Sequence, residues 1–491
     1  MDRVRTGAPG LDEVLGGGLP RNGIYLVQGS PGVGKTTLAL QFLLEGSRTG
    51  DKSLYLALTE TRGEVQLVAD SHGWSLEGLE ICELDGRDDQ GRREHDQTMF
   101  NPAEVELEQT VKPIMEAIRR TRPDRVVIDS LSEIRLLSRE PLRYRRQLLS
   151  LKDLFLEQEC TVLLIDTPAV VGQDSAGILE TLIGGLILLE KTTPSYGTTR
   201  RRLVVDKLRG VRFSEGYHDM RIKSGGMVVY PRLVAADHPG TASREAVSSD
   251  IPELDALFDG GLERGTSTLI MGAAGTGKSS LATQFVMAAA RRQERSVVYT
   301  FEETFGTWLT RTTGLGFDVK PHLDAGRVRL VHVDPAELAP GELASSVRDA
   351  VEHGNARMIV IDSLNGYLQS VPEESFLVLH LHELLTYLAQ NGITTIMNIA
   401  QHGLLGPAMA APIDVSYLAD SVLFLRYFEA FGEVRQAISI VKKRSGRHEH
   451  AIREFQLDQG GVRVGKPLRD FHGVLTGVPT YVGGAERLIA E

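Results

Sequence analysis

Short apolar runs punctuate this chain, and stretches of helical character fill the gaps between them. Ile24-Tyr25-Leu26-Val27 and Thr268-Leu269-Ile270-Met271 are continuous enough to be strands buried on both faces. After each comes a glycine-rich loop and then a helical segment, 37–44 in one case and 280–286 in the other. Further strand-like runs span 54–58, 125–129, 203–206, 297–301, 358–362 and 438–441. Strands alternating with helices predict an α/β fold, with a mostly parallel central sheet covered by helices. Residues 85–97 are charged and lack a period, which predicts an exposed loop.

The pattern occurs twice. A shift of 243 positions carries Lys35 onto Lys278 and superposes about fifty residues without a gap. Leu11-Asp12 falls on Leu254-Asp255, and Gly17-Gly18-Leu19 on Gly260-Gly261-Leu262. Gln41-Phe42 falls on Gln284-Phe285, and Glu60-Thr61 on Glu303-Thr304. Such a long period means a duplicated domain, not a short-repeat solenoid. The expected organisation is a first domain over 1–234, a linker over 235–249, a second domain over 250–479 and a short tail over 480–491. The junction Ala235-Ala236-Asp237-His238-Pro239-Gly240-Thr241-Ala242-Ser243-Arg244 has a linker's polar and Pro/Gly character.

The two loops read Gly29-Ser30-Pro31-Gly32-Val33-Gly34-Lys35-Thr36 and Gly272-Ala273-Ala274-Gly275-Thr276-Gly277-Lys278-Ser279. Both fit G-x-x-x-x-G-K-[ST], and Thr37 and Ser280 follow them. Glycines let the backbone curl until its N–H groups converge on phosphate, and the next helix adds its positive end. The motif predicts Lys35 and Lys278 on the β- and γ-phosphates of ATP, and the Thr36 and Ser279 hydroxyls on Mg²⁺. A glycine turn with a stray lysine would explain one loop, but the strand–loop–helix context is present at both.

Other parts of a triphosphatase follow in order. Arg125-Val126-Val127-Ile128-Asp129 and Met358-Ile359-Val360-Ile361-Asp362 are Walker B patterns. They place Asp129 and Asp362 at the carboxyl ends of strands, as metal ligands; the bland alternative is a strand-end cap. Hydrolysis needs a group that orients or deprotonates water. Glu60 ends one strand run, and Glu302 with Glu303 ends its counterpart. Against that stands a solvated loop carboxylate. Lys207 and Arg209, and again Lys442 and Arg444, are cations two apart on extended chain, so each pair points one way. They could reach a neighbouring subunit's γ-phosphate, or be basic strand ends in solvent.

Composition narrows the class. The 491 residues allow two to four domains. A net charge of −11 argues against a general nucleic-acid binder. Cys82 and Cys160 form neither a metal spacing nor a disulfide framework, which suits a reducing cytoplasm. Met1-Asp2-Arg3-Val4-Arg5 leads into no apolar signal core, and no apolar run is long enough for a membrane span.

Taken in order, these features resemble the KaiC family, double-domain clock ATPases within the RecA-like superfamily. The carriers are the two Leu-Asp…Gly-Gly-Leu openings, the paired loops, and Phe301-Glu302-Glu303-Thr304. Later come Lys442-Lys443-Arg444, Ala451-Ile452-Arg453-Glu454-Phe455 and Gly473-Val474-Leu475-Thr476-Gly477-Val478-Pro479. The resemblance implies two tandem RecA-like P-loop NTPase domains in a two-tiered homo-hexamer, with Mg²⁺-ATP between subunits. It implies slow ATPase activity in the first tier, Ser/Thr autokinase activity in the second with Glu302 as base, and a KaiB-like or signalling protein as partner. Three departures stand out. The family's acceptor Ser-Thr pair falls on Ser416-Tyr417, where a longer, stiffer phenol replaces the Thr. Thr59 stands where the first domain usually has Glu. The tail after Pro479 is short, so a response to an activator protein through a long tail is not expected.

Two rival readings remain at this level. A RecA/RadA-like DNA-dependent ATPase draws on Arg139, Arg143, Arg145 and Arg146 and on Arg200, Arg201 and Arg202; the acidic net charge and the lack of zinc-ribbon cysteines oppose it. A scaffold would bind ATP in both halves and release little phosphate.

Overall fold

The computed structural model describes residues 2–83, 102–138, 141–168, 176–238, 240, 245–369, 374–401, 415–475 and 479–482, with backbone alone at 102–110, 176–178, 369 and 374–375. The expected loop at 85–97, Arg139, residues 413–414 and 476–478, and the tail from 483 lie outside them. The chain divides into two compact units, Met1–Arg232 and Leu233–Glu491.

In the first unit six strands run parallel, in the order Leu79–Glu83, Ser53–Ala57, Arg125–Asp129, Thr161–Asp166, Ile24–Gly29 and Gly185–Thr192. Three antiparallel strands extend the sheet beyond the last: Arg200–Leu208, Tyr217–Lys223 and Gly226–Tyr230. The second unit repeats this order. Val328–His332, Arg295–Thr300, Ala356–Asp362, Thr394–Ala400, Ser267–Gly272 and Ser421–Ala430 are parallel. Glu433–Lys443, Arg453–Asp458 and Gly461–Pro467 follow antiparallel. Both are mostly parallel RecA-like sheets flanked by helices. Parallel neighbours need a crossover, so apolar runs buried on both faces alternate with helices.

The helix after each glycine-rich loop is packed into the unit's interior. Along Lys278–Arg291 every residue from Ser280 to Ala290 is buried. Lys35–Thr49 buries the continuous run from Thr37 to Leu43. A helix enclosed this way must give its polar side chains interior partners. Gln41 donates to the Gly7 and Met227 carbonyls at 3.2 and 3.1 Å and accepts from the Met227 N–H at 2.8 Å. It thereby ties the outermost antiparallel strand to the helix. Gln284, its counterpart, donates to the Ser249 carbonyl at 2.7 Å. Beneath the same helix of the first unit Arg125 is buried and donates to Asp51, to the Arg5 carbonyl and to the Phe42 carbonyl at 2.7–2.9 Å.

Described parts of the segment expected to be a linker are ordered into the second unit. Ala235 is buried in its core, as is Leu233 just before the segment. The Ala235 N–H donates to Glu383 at 3.0 Å, and Ala246–Val247 pairs with Leu262–Glu263.

Gln41→Leu is expected to remove three buried hydrogen bonds and leave the Met227 backbone unsatisfied, at about 2–4 kcal/mol. Each unit has one tryptophan, Trp74 and Trp308. Urea unfolding followed by Trp74 fluorescence, in a Trp308→Phe background, reads the loss in the first unit. An unchanged midpoint would show that the glutamine does not hold the strand.

Candidate functional site

Each glycine-rich loop leaves the carboxyl end of a central strand and enters its buried helix through a glycine in the left-handed region, Gly34 at φ 114° and Gly277 at φ 93°. No side chain caps either helix. A Cβ at Gly34 would lie 2.7 Å from Ile222 Cδ1, and one at Gly277 would lie 2.4 Å from Leu457 Cδ1. The left-handed turn favours glycine there, and any added Cβ would push these side-chain ends aside. The antiparallel extension thus forms the floor of each loop. The helix after the next strand is capped in each unit: Thr61 with Glu64 makes a capping box, and Thr304 accepts from the Thr307 N–H. The loop helices therefore present free backbone donors and the positive end of the helix dipole, the requirements for holding phosphate.

Ser30, Pro31 and Gly32 are exposed at the tip of the first loop, as are Ala274 and Gly275 in the second. Val33 and Thr276 are buried anchors, and Thr276 Oγ1 donates to the Ala273 carbonyl at 2.9 Å. Thr37 and Ser280 are buried at the first turn of the helix. Lys35 Nζ donates to the Gly29 and Ser30 carbonyls at 2.7 and 3.2 Å. Lys278 Nζ donates to Gly272 and Ala273 at 3.0 and 2.7 Å. Both ammonium groups arch across the mouth of their own loop. Burial lowers the pKa of each, against the pull of nearby carboxylates.

In the first unit Asp129 and Glu60 converge on Thr36, whose hydroxyl lies 3.0 Å from Asp129 Oδ2 and 3.4 Å from Glu60 Oε1. Tyr55, fully buried, places its hydroxyl 2.9 Å from Asp129 and 3.3 Å from Glu60. A single O–H donates to one acceptor at a time, so Tyr55 sits between the two acids. Burial raises the pKa of Asp129; burial and then the Asp129 charge raise that of Glu60. Two carboxylates and a hydroxyl, short of compensating cation charge, form a hard oxygen set. That set fits Mg²⁺, which takes one or two carboxylates and completes its shell with water and substrate phosphate.

The second unit keeps the frame and changes the acids. Thr300 pairs with Asp362 as Ala57 pairs with Asp129. Ser279 faces Asp362, whose pKa burial pushes up and Ser279 draws down. Glu302 accepts from the Ser363 hydroxyl at 2.6 Å, beside the Walker B aspartate. Glu303 is held by Arg311 through two parallel bonds of 2.8 Å, and Arg311 also reaches Ser280 Oγ at 3.3 Å. The two glutamates are thus in different settings: Glu302 at the strand ends beside Ser363, Glu303 in an ion pair. Shifted by 243, Val68 stands at the place of Arg311 and Val298 at the place of Tyr55.

The basic pairs lie apart from their own loops. Lys207 is opposite Leu186, three residues before Leu189, the partner of Gly29. Lys442 is opposite Val422, three residues before Leu425, the partner of Gly272. Three residues of strand are about 10 Å, and the side chains point further away. Lys207 Nζ donates to the Glu180 carbonyl at 2.5 Å and Arg209 to Thr181 at 3.1 Å. Lys442 Nζ donates to the Ser416 and Ala419 carbonyls, each at 2.8 Å, and Arg444 to the Tyr417 carbonyl. Ser416 lies in the turn at 415–418, half-buried, with Tyr417 exposed beside it. Of the second basic cluster, Arg202 is paired with Glu190 at 2.8 Å and stacked on Tyr217.

Sequence reading missed Tyr55, Arg311, Ser363 and Lys191, whose Nζ donates to the Pro31 carbonyl at 2.9 Å. The spacing of eight between Glu303 and Arg311, one strand end to the face of the next helix, was the available signal for that pair. Tyr55 was visible as the lone polar tip in the run 54–58.

A duplicated RecA-like unit, each copy with a phosphate loop and an acidic strand end behind it, is a tandem P-loop ATPase. The chain belongs to the KaiC ATPase family, whose model matches residues 4–234 and 247–469. It is 27% identical over 488 residues to the circadian clock protein KaiC3 of Synechocystis, covering 99% of this chain and 96% of that protein. To the circadian clock oscillator protein KaiC of Picosynechococcus it is 27% identical over 497 residues, covering 99% and 94%. The circadian clock oscillator protein KaiC 1 of Synechocystis is 26% identical, with 99% and 93% covered. Among the described residues no helix is long and apolar enough to cross a membrane.

Tyr55→Phe is expected to lower first-site turnover roughly three- to tenfold, the loss of one buried hydrogen bond to an acid. Phosphate release is measured with Lys278→Ala to isolate that site. The same substitution in a Lys35→Ala background should leave second-site turnover unchanged.

Proposed function

We propose that this chain binds Mg²⁺-ATP at both loops and hydrolyses it across subunit boundaries of a homo-oligomeric ring, a double-tiered hexamer in the family manner, as a signalling or timing switch in the reducing cytoplasm. One observation carries the ring: in each unit the basic pair that a phosphoryl-transfer site needs points away from its own loop. Lys207 and Arg209, and Lys442 and Arg444, can meet a γ-phosphate only if a neighbouring copy presents it.

Within a site, Lys35 or Lys278 and the loop N–H groups hold the triphosphate. Thr36 with Asp129, and Ser279 with Asp362, would hold Mg²⁺, which neutralises charge between the β- and γ-phosphates when bound. In the first site Glu60 orients and deprotonates the attacking water. In the second, Glu302 takes that role, because Glu303 is committed to Arg311 and acts through the strand end it braces. A Ser416 acceptor fits this arrangement only in trans, since Ser416 lies with Lys442 at the far end of the strand from its own loop. Glu302 of the neighbouring copy would then accept the hydroxyl proton.

The test is phosphate release with Mg²⁺-ATP, native mass and phosphosite mapping on one preparation. Lys35→Ala with Lys278→Ala is expected to abolish turnover, and chelation of Mg²⁺ to do the same. Unchanged turnover in the double variant would sink the reading, and a stable active monomer would remove the ring. In a Lys35→Ala background, Glu302→Gln is expected to cost on the order of 10²-fold in turnover and Glu303→Gln distinctly less. The reverse order would exchange their roles.

A further inference from the structure

The strand Gly185–Thr192 sets Leu189 opposite Gly29 and carries Lys191 two residues beyond it. Lys191 Nζ donates to the Pro31 carbonyl at 2.9 Å, and a Cβ on Gly32 would lie 3.3 Å from the same nitrogen. The Lys191 charge is felt at Lys35, where it acts against the carboxylates of Asp129, Asp166 and Glu60. Two ammonium groups of one chain therefore flank the first half of this loop. Lys35 spans the Gly29 and Ser30 carbonyls, and Lys191 takes the next one.

The second unit has the same register, with Leu425 opposite Gly272, and two residues on it carries Tyr427. A Cβ on Gly275 would lie 2.8 Å from the Tyr427 hydroxyl. Position and direction match those of Lys191, but a neutral phenol replaces the cation. The loops are alike in backbone, and their tips differ in charge.

We propose that Lys191 is a phosphate-positioning residue of the first site, a second cation at the terminal phosphates of ATP that the second site lacks. This rests on the reading of both loops as ATP sites. The motif lysine serves the β- and γ-phosphates, and Lys191 is near enough to that lysine to oppose it. Its ammonium thus faces the same end of the nucleotide. One of its three N–H donors meets Pro31, and the other two remain for phosphate oxygens. ADP has no outermost phosphate, so a cation at that end favours ATP over ADP. The first site accordingly discriminates between the two more strongly than the second.

Equilibrium binding of β,γ-imido-ATP and of ADP to the full chain tests this, with Lys278→Ala to silence the second loop. Lys191→Ala is expected to weaken the ATP analogue roughly tenfold or more and ADP by less than about threefold, as for a charge-assisted bond to the outer phosphate alone. Lys191→Arg should restore most of the difference. Equal losses for the two nucleotides, or no loss for either, overturn the proposal. Lys35→Ala in the same background separates it from the wider reading. If Lys35→Ala binds as before, the first loop is no nucleotide site and both fail. If Lys35→Ala loses binding and Lys191→Ala does not, the assignment of Lys191 alone fails. The converse graft, Tyr427→Lys with Lys35→Ala, should raise the preference of the second site for the ATP analogue, and an unchanged preference there counts against the proposal.

Discussion

Each unit is organised around a buried helix whose amino end has no cap from its own chain. Gly34 and Gly277 enter these helices in a left-handed turn that offers no side-chain acceptor, while Thr61 and Thr304 cap ordinary surface helices a few residues after the next strand. A helix end with orphan donors is costly to enclose unless an anion or water meets them. The fold accepts that cost at the glycine-rich loop of each unit and builds the rest around it. The helix is sunk in the interior, its polar Gln41 or Gln284 is spent on backbone partners, and Ile222 or Leu457 closes the floor under the glycine. What remains open is the side facing the strand ends, where the acidic residues are.

Around that constant frame the two copies have diverged by charge compensation. The first site leaves two acids facing each other with a tyrosine hydroxyl and a threonine hydroxyl between them, short of compensating charge, while Lys35 and Lys191 hold carbonyls of the loop. The second adds a glutamate and at once neutralises one of the pair with Arg311. Valine stands in the first unit where Arg311 stands in the second, and in the second where Tyr55 stands in the first. Each substitution is matched by its partner in the same unit. Such pairing is what keeps a buried acid tolerable, because removing only one member leaves an uncompensated charge.

Much of this was legible in the chain because it is local. The phosphate loops, Asp129, Asp362 and the strand–helix alternation depend on neighbours within a few positions; a shift of 243 displays the loops twice, and the Walker B pattern recurs at an offset of 233. The limits follow from where that shift stops holding. Lys191 and Tyr427 correspond only through strand pairing, at an offset of 236, because the connections before those strands differ in length. The different partners of Glu302 and Glu303 were equally hidden. Their spacing is that of two carboxylates side by side, and only the direction in which the strand end turns sends one to Ser363 and the other to Arg311. The junction's polar residues gave no hint that Ala235, with Leu233 just before it, is buried in the core of the second unit.

On the proposed reading the basic pairs are the source of coupling between subunits. Lys442 and Arg444 hold the carbonyls of 416–419, and Lys207 and Arg209 hold those of 180–181. On the proposed ring reading, a neighbour's triphosphate competes with these carbonyls for the same cations. Phosphate is the stronger acceptor, since it adds charge to the hydrogen bond. Binding in one subunit would then release the segment before the last parallel strand in the next, the helix Ala176–Leu182 in the first unit or the turn at 415–418 in the second, and loss of the γ-phosphate would let it close. A ligand shifts a conformational equilibrium only by the difference in its affinity for the two states. Here that difference has a physical source: N–H donors turned toward a neighbour's phosphate are withdrawn from the carbonyls they hold in their own chain. In the second unit the turn in question includes Ser416. Exposure of that hydroxyl and presentation of the neighbour's phosphate would therefore be one event, which places the timing of any transfer under the control of nucleotide occupancy.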